Sequence, residues 1–451
     1  MAVLSLSLGL NVGAAPAFEP CRLQIVDQEN GWPVPGMRLR TVNELRFVSD
    51  NAGIIALDAP EFMGKETWLF VEGPGYGVPP DGFGYRGVRI TPQPGATLKI
   101  EVKREQIAKR LGRLTGAGLF GEAQRFGEFS EWTESGVLGS DSVQIARYRD
   151  RVYWLWGDTN LSHYPLGRFH MTGATTEGAP IGETEPPVRP QFRYWLGADG
   201  LPRNTSEMPG SGPTWVSGFV ALPDATGRER LVGTYVKIQA PLTEYEIGLC
   251  VWDDDQNRFV RHRVLWERAT GEPRPVVPDG HPTLWKNAQG EPELLLGDPF
   301  PRLRLPANYE SWSDPAQWSP VDAQESATRH DGGGSVRAHR GSIAWSAYRE
   351  KWVTVFTELG AAPSPLGDLW YAEAATPFGP WVNAIRVVSH ENYTVYNPRI
   401  HAETRDPTSP VLLFEATYTK SFANRPHPTA RQDYNQVLFR LDLDEPAFRF
   451  D

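Results

Sequence analysis

Two aspartates stand where a pair of carboxylates could work together. Gly139-Ser140-Asp141-Ser142-Val143-Gln144 leads into one apolar run, and Arg151-Val152-Tyr153-Trp154-Leu155-Trp156-Gly157-Asp158-Thr159-Asn160 forms the next. Asp141 precedes the first run and Asp158 ends the second, 17 residues later. Antiparallel neighbours joined by a turn set the start of one strand beside the end of the other. Both carboxylates are therefore expected at one sheet edge. Either alone reads as a turn residue that caps its own backbone. As a pair, on an aromatic strand and beside Ser142, Gln144 and Asn160, they read as a site. Paired carboxylates suit hydrolysis of a glycosidic bond, where one is the acid and the other the nucleophile or base.

Further side chains are candidates to join them. Glu358 and Glu415 each end an apolar run as Asp158 does, and they rank ahead of Asp279, Glu244 and Glu246 as a third carboxylate. Exposed glutamates are ordinarily solvated surface, and an apolar strand context sets these two apart. The C-terminal region supplies Asn397, Arg399 and His401 before one strand and Tyr418 after the next. Arg399 could clamp a carboxylate or neutralise the aspartates. His281 and His339 occupy entry positions like that of His401, so all three are candidate substrate-binding residues with Gln144, Asn160, Asn397, Arg399 and Tyr418. Three histidines could hold a metal in principle, but no ligand spacing calls for one, and neither a metal nor a cofactor is expected. There is no Gly-x-Ser-x-Gly, dinucleotide fingerprint or phosphate loop. Gly332-Gly333-Gly334 lacks the following Lys-Ser/Thr.

The elements that must position these residues recur. Tyr153–Asp158, Leu231–Tyr235, Glu293–Asp298, Trp352–Glu358 and Val411–Glu415 are short, apolar and β-prone, and their last residues are 77, 63, 60 and 57 positions apart. Each follows a turn and an earlier strand, at 143–148, 215–222, 282–285, 342–348 and 398–402. A strand pair repeated five times at near-constant spacing predicts an all-β fold, a five-bladed β-propeller. In such a fold the inner strands converge, and side chains distant in sequence meet in one pocket.

Residues 20–103 follow another pattern. Arg22–Asp27, Met37–Thr41, Phe47–Leu57, Thr67–Glu72 and Thr97–Lys103 read as strands of a small sandwich. Residues 104–113 carry Ile107 and Leu111 at i, i+4 and read as a linker helix, with the propeller expected over 114–451. Three stretches are too long for bare turns, at 175–212, 301–334 and 419–433. Long loops in compact domains are often lids or binding loops, and decoration of the rim is the other reading.

The run G-S-D-x-x-Q … R-V-Y-W-L-W-G-D-T-N resembles the first blade of the bacterial endo-D-arabinanase family, with its G-T-D … F-G-D-T pattern. More broadly it resembles the arabinanase/β-xylosidase/sucrase superfamily of five-bladed propeller hydrolases. The resemblance implies that Asp141 is catalytic and that Asp158 belongs to the site. Elsewhere the chain matches only in blade rhythm. The superfamily's Glu-Gly-Pro acid motif is absent, which leaves a third carboxylate unassigned. Over residues 20–103, the V-D-x-x-x-G-x-P-V-P-G, S-D-N-A-G and GPGYGVPPDGFGYRG segments resemble the carboxypeptidase regulatory-like, transthyretin-type sandwich. Such modules usually pack against or space out a catalytic domain.

Composition agrees with many short strands. The 451 residues include 44 Gly, 40 Pro and 16 Trp, and the punctuating Gly and Pro disfavour long helices. A formal net charge of −10 without a basic stripe disfavours nucleic acid and anionic membranes as partners. Cys21 and Cys250, 229 residues apart, are not expected to pair. Residues 1–17 are small and apolar and end in Ala15-Pro16-Ala17 like a secretory cleavage site, so 1–19 read as a signal-like segment and the protein is expected to be secreted or periplasmic. No later run reaches the length of a membrane span. The combined expectation is an exported glycoside hydrolase acting on a carbohydrate. Its rivals are a non-catalytic propeller that binds glycan or protein, and a polysaccharide lyase in which Arg399 neutralises a uronate.

Overall fold

The computed structural model describes residues 19–163, 171–177, 185–322, 324–361, 364–389, 393–423 and 428–450. The leader-like segment, apart from residue 19, lies outside them. Within them the chain is nearly all β, with one short α-helix at Tyr309–Ser313 and a few 3-10 turns. No helix among the described residues is long and apolar enough to cross a membrane. Both cysteines are free and buried.

Residues 21–104 form two four-stranded sheets. One is ordered Ile54–Leu57, Cys21–Asp27, Thr97–Arg104, Tyr76–Gly77, and the other Arg46–Val48, Arg38–Thr41, Thr67–Glu72, Gly87–Ile90. Period-two alternation drives their packing. Thr67–Glu72 buries Thr67, Leu69 and Val71 on one face and leaves Trp68, Phe70 and Glu72 half-buried on the other. Leu69 and Val71 join Leu23, Ile25, Leu39 and Val102 in a core shared by both sheets.

Five antiparallel sheets follow. Their inner and second strands are Val143–Tyr148 with Arg151–Leu161, Thr214–Pro223 with Glu229–Gln239, Thr283–Lys286 with Pro292–Gly297, Ser335–Ser346 with Lys351–Leu359, and Thr394–Ile400 with Val411–Thr419. These are the five pairs expected from the sequence. Hydrogen bonds stitch each sheet to the next. Trp215 Nε1 donates to Asp158 Oδ1 (2.8 Å) between the first and second. Gly218 N donates to Gly280 O (2.8 Å) between the second and third. Gly341 N donates to Asp298 Oδ1 (2.7 Å) between the third and fourth, and Ile400 N to Ser342 Oγ (2.7 Å) between the fourth and fifth. Ser140 N donates to Tyr434 O (2.8 Å), which joins the fifth sheet back to the first. The series therefore closes on itself, as in a β-propeller, and leaves no inner edge open.

The expected linker helix does not form. Lys109–Arg113 is a strand that pairs with Asn435–Asp442 and completes the fifth sheet. A segment this short gains little from helix nucleation. The unpaired edge of Asn435–Asp442 offers it a full ladder instead, and Leu111 is fully buried there. Arg110 and Arg113, also buried, are met by backbone carbonyls: Pro35 and Pro74 accept from Arg110, Ala117 and Gly118 from Arg113.

Two of the long stretches turn out to carry outer strands. Arg193–Tyr194 lies at the outer edge of the first sheet, with residues 178–184 outside the described part. The 301–334 stretch holds the third sheet's outer strands, the helix and the fully buried Trp312. Apolar side chains from both are packed into cores: Val188 and Phe192 with Leu111 and Leu438, and Trp312 with Leu303 and Leu305.

Candidate active site

Asp141 lies in the break between Val137–Ser140 and Val143–Tyr148, two strands that both pair with Arg151–Leu161. The partner strand has a bulge between Leu155 and Asp158. Bulges redirect side chains at sheet ends. Here the backbones of the two aspartates meet, with Asp141 N donating to Asp158 O (3.0 Å). The two aspartates are neighbours as expected, but inside the sheet and not at its end, because Thr159–Leu161 continue the strand and pair with Val137–Ser140.

The two carboxyls have different surroundings. Asp141 is half-buried and crowded with donors. Its Oδ1 accepts from Ser142 N (2.6 Å), Ser142 Oγ (2.7 Å) and Thr417 Oγ1 (3.2 Å). Its Oδ2 accepts from the Tyr434 hydroxyl (3.0 Å), and Tyr396 also hydrogen-bonds to this carboxyl. Donors of this number favour a carboxylate. Asp158 is only 6% exposed and, among the described residues, accepts one side-chain bond, from the Trp215 indole. Burial pushes its pKa from 3.8 up to about 7; the Trp215 N–H pulls it down, and the Asp141 charge adds to the rise. The pair thus sets a carboxyl met by several donors beside a buried carboxyl that holds its proton up to about pH 7.

The fifth sheet supplies most of the support for Asp141. Asn397 Nδ2 donates to Ser142 Oγ (2.5 Å), which donates on to Asp141. Gln436 Nε2 donates to Thr417 Oγ1 (2.9 Å) and to Ser140 O (3.0 Å). Asn397 and Tyr434 both adopt left-handed backbone, at φ 52° and 59°. For a bulky tyrosine this conformation is unfavourable and is held by its surroundings. Burial, followed by the Asp141 charge, raises the Tyr396 and Tyr434 hydroxyls above the usual tyrosine range, so both remain donors.

Other expected site residues fall elsewhere. Glu415 is fully buried, two positions before Thr417 on the same strand, and meets His401 Nε2 at 3.2 Å. His401 packs edge-on against Trp154. Glu358 accepts from Trp370 Nε1 (3.1 Å) within the fourth sheet. Among the described residues neither glutamate hydrogen-bonds to either aspartate, so the pair has no third carboxylate in contact. Arg399 is 1% exposed and paired with Glu403, and its buried position leaves no open face for a substrate carboxylate. Tyr418 stacks on Tyr393 at 3.8 Å, beside the Arg38 and Gly73 side of the first two sheets. The short period of a strand explains the displacement: Tyr418 is adjacent to Thr417, so it points to the opposite face.

His281 is buried and His339 half-buried. Burial lowers both, His281 well below the usual value and His339 to about 4, and Arg340 lowers each further, Arg399 also acting on His281. Both are neutral imidazoles at neutral pH. Gln144 Oε1, Asn160 Oδ1 and the Nδ1 atoms of His281 and His339 are buried without a hydrogen-bond partner among the described residues. No three His, Cys, Asp or Glu side chains among those residues converge to hold a metal.

Trp215, Tyr396, Thr417 and Tyr434 were not singled out by residue chemistry. All four reach the aspartates from a neighbouring sheet. Their one signal was position, since each lies near a strand end on the same side of the repeat.

No family model matches the chain, and no curated protein matches it. Among solved structures it is similar to a putative exo-β-1,3-galactanase from Bifidobacterium bifidum s17, at TM-score 0.41 and 12% identity, over 69% of this chain and 94% of that one. It is similar to the Phanerochaete chrysosporium exo-β-1,3-galactanase with galactose, at TM-score 0.39 and 12% identity, over 68% of this chain and 61% of that one. An exo-1,5-α-L-arabinanase from a bovine ruminal metagenomic library gives TM-score 0.38 and 10% identity, over 68% and 94%. At these values the likeness assigns no residue a role.

Proposed function

We propose that this protein is a glycoside hydrolase whose ring of sheets is a five-bladed propeller, with Asp158 as the general acid and Asp141 as its ionised partner. The observation that carries the reading is the difference between two adjacent carboxyls. Asp158 is buried with a pKa pushed up to about 7, while Asp141 is tied down by hydroxyl and amide donors. A carboxyl whose pKa burial raises towards neutrality is suited to act as the acid. Departure of a sugar leaving group requires a proton on the glycosidic oxygen, which Asp158 would donate. Asp141 would then stabilise the developing positive charge, or activate water against the anomeric carbon. The Trp215 bond occupies Oδ1 of Asp158 and leaves Oδ2 to carry the proton.

The buried, paired state of Arg399 weighs against the lyase reading, since neutralising a uronate needs an accessible cation. We propose further that residues 20–103 are a transthyretin-type sandwich attached to the propeller, and that the protein is exported; the apolar run in residues 1–17 supports the second point. The test of function is turnover of a panel of arabinans, galactans and xylans by the wild type, Asp141→Asn and Asp158→Asn. Loss of roughly 10²-fold or more in both variants is expected, the scale of acid–base assistance. Glycan binding without turnover by the wild type would favour a non-catalytic propeller.

A further inference from the structure

Tyr434 sets its hydroxyl on Asp141 from a left-handed backbone, and the turn that carries it, residues 428–434, is held partly from outside the ring of sheets. Within the fifth sheet the turn is tied by Tyr434 N, which donates to Tyr418 O (2.7 Å), and by Asp433, which accepts from the Tyr393 hydroxyl (2.7 Å). It contains a second left-handed residue, Arg431 at φ 61°. Two side chains of this size in that region persist only where their surroundings over-determine them.

The two N-terminal sheets supply the rest. Arg38 Nη2 donates to Thr429 Oγ1 (3.1 Å). Gln432 is 5% exposed and seated on Gly36, where an added Cβ would come within 3.3 Å of its Oε1. Arg431 is held at both ends. Its carbonyl accepts from the buried Arg113 guanidinium, and its own Nη1 donates to Glu122 Oε1 (2.7 Å). Its side chain lies along bare backbone, since a Cβ on Gly118 or Gly121 would come to 3.0 Å of Arg431 Cδ or Nη1.

Both partners of Arg431 are fixed in turn by the N-terminal sheets. The fully buried Asn51 accepts from Arg113 N and donates to Arg113 O, both at 2.9 Å. Glu122 Oε2 accepts from Ala56 N (3.1 Å), and Asp50 Oδ2 accepts from Glu122 N (3.1 Å). An unbroken series of bonds therefore runs from Asn51 and Ala56 through Arg113, Glu122 and Arg431 to the turn that aims Tyr434. Release of that series would let Arg431 and Tyr434 relax to the commoner negative φ, which swings the Tyr434 ring away from Asp141.

We propose that the N-terminal pair of sheets is a working part of the aspartate site: it sets the Tyr434 hydroxyl on Asp141, with Arg431 and Arg38 as positioning residues. The effect on turnover rests on the glycoside hydrolase reading, while the positioning itself can be measured without substrate. The test is a double-mutant cycle in the full chain, combining Tyr434→Phe with Arg431→Ala and, separately, with Arg38→Ala. Tyr434→Phe removes one hydrogen bond to the Asp141 carboxyl and should lower kcat roughly 10-fold. Arg431→Ala and Arg38→Ala should each lower kcat several-fold alone and by less than roughly twofold in the Tyr434→Phe background, because the hydroxyl they aim is already gone. Arg431→Lys, which keeps the pair with Glu122, should recover most of the loss. Arg431 is half exposed, so folding should survive its replacement; should it not, the Arg38→Ala cycle decides. Urea midpoints of the same proteins should show the same non-additivity. Losses in kcat that multiply, midpoint shifts that add, or full activity in both arginine variants would each overturn the proposal. If the wild type turns over no glycan, the hydrolase reading falls and the urea midpoints alone decide the positioning, which keeps the two failures apart.

Discussion

Replacing Asp158 with Asn separates a catalytic acid from a structural aspartate by the sign of its effect on stability. The folded pKa is about 7 and the ordinary value 3.8. Between these limits the unfolded chain releases the proton and the folded chain keeps it. Stability is therefore fully present below about pH 4, declines as pH rises towards 7, and stays lowered above that. The difference between the two pKa values corresponds to at most about 4 kcal/mol. Asn resembles the protonated acid in shape and charge, and its Oδ1 can still accept from Trp215. Asp158→Asn should match the wild type near pH 4 and exceed it in stability near pH 8, by an amount that approaches but does not pass that limit.

Chemical denaturation at pH 4, 6 and 8, with free energies extrapolated to water, reads this directly. The same variant should lose roughly 10²-fold or more in turnover. Gain of stability with loss of activity is the signature of a strained functional group. If Asp158→Asn is less stable than the wild type at pH 8, the aspartate works as an ionised turn residue, and its role as a proton-holding acid is refuted whatever happens to activity.

Other substitutions probe the surroundings. Trp215→Phe removes the donor that lowers the Asp158 pKa, so the alkaline limb of the rate profile should move to higher pH, as read from kcat/KM across pH 5–9. Asp141→Asn should abolish most turnover and cost about 1–2 kcal/mol in denaturation, since several charge-assisted bonds become neutral ones. Asp298→Asn, at the equivalent place in the third sheet, keeps an acceptor for Gly341 N and loses the charge facing the more than half exposed Arg340; activity should hold within a few-fold and, since burial raises the Asp298 carboxyl above its ordinary value, stability at neutral pH should not fall. Gly218→Ala should cost at least about 2 kcal/mol by thermal or urea unfolding: its φ is +63°, and the added Cβ would lie 2.0 Å from Pro278 O at the seam between the second and third sheets.

The strand rhythm was legible because both alternation and turn chemistry repeat. All five strand pairs appear with small shifts at their ends, such as Asp298 falling just after Pro292–Gly297. The adjacency of Asp141 and Asp158 was legible for the same reason, as it follows from one hairpin, but the continuation of the second strand to Leu161 beside Val137–Ser140 was not. The segment 104–113 was misread because its partner, Asn435–Asp442, lies more than 300 residues away and local propensity cannot register an open edge. Tyr418 was misplaced by a single residue of strand register. Glu358 and Glu415 were plausible partners of the aspartates only while their neighbours were unknown; in the fold they bond to Trp370 and His401 and, among the described residues, to neither aspartate.

What sequence could not supply is the asymmetry between the two aspartates. Asp141 and Asp158 are alike in residue type and both border the same hairpin. Asp158 meets a single indole N–H brought by the second sheet, whereas Asp141 meets Thr417, Tyr434 and Tyr396 from the fifth. Closure of the ring places the first sheet between these two neighbours, one poor in donors and one rich. A hairpin alone would give two similar turn carboxylates. The closed ring gives one buried carboxyl poor in donors and one held by several, so the difference between them belongs to the seams between sheets and not to the motif that carries the residues. Substitutions confined to the seams, such as Trp215→Phe and Gly218→Ala, thus test the assignment as sharply as changes to the aspartates themselves.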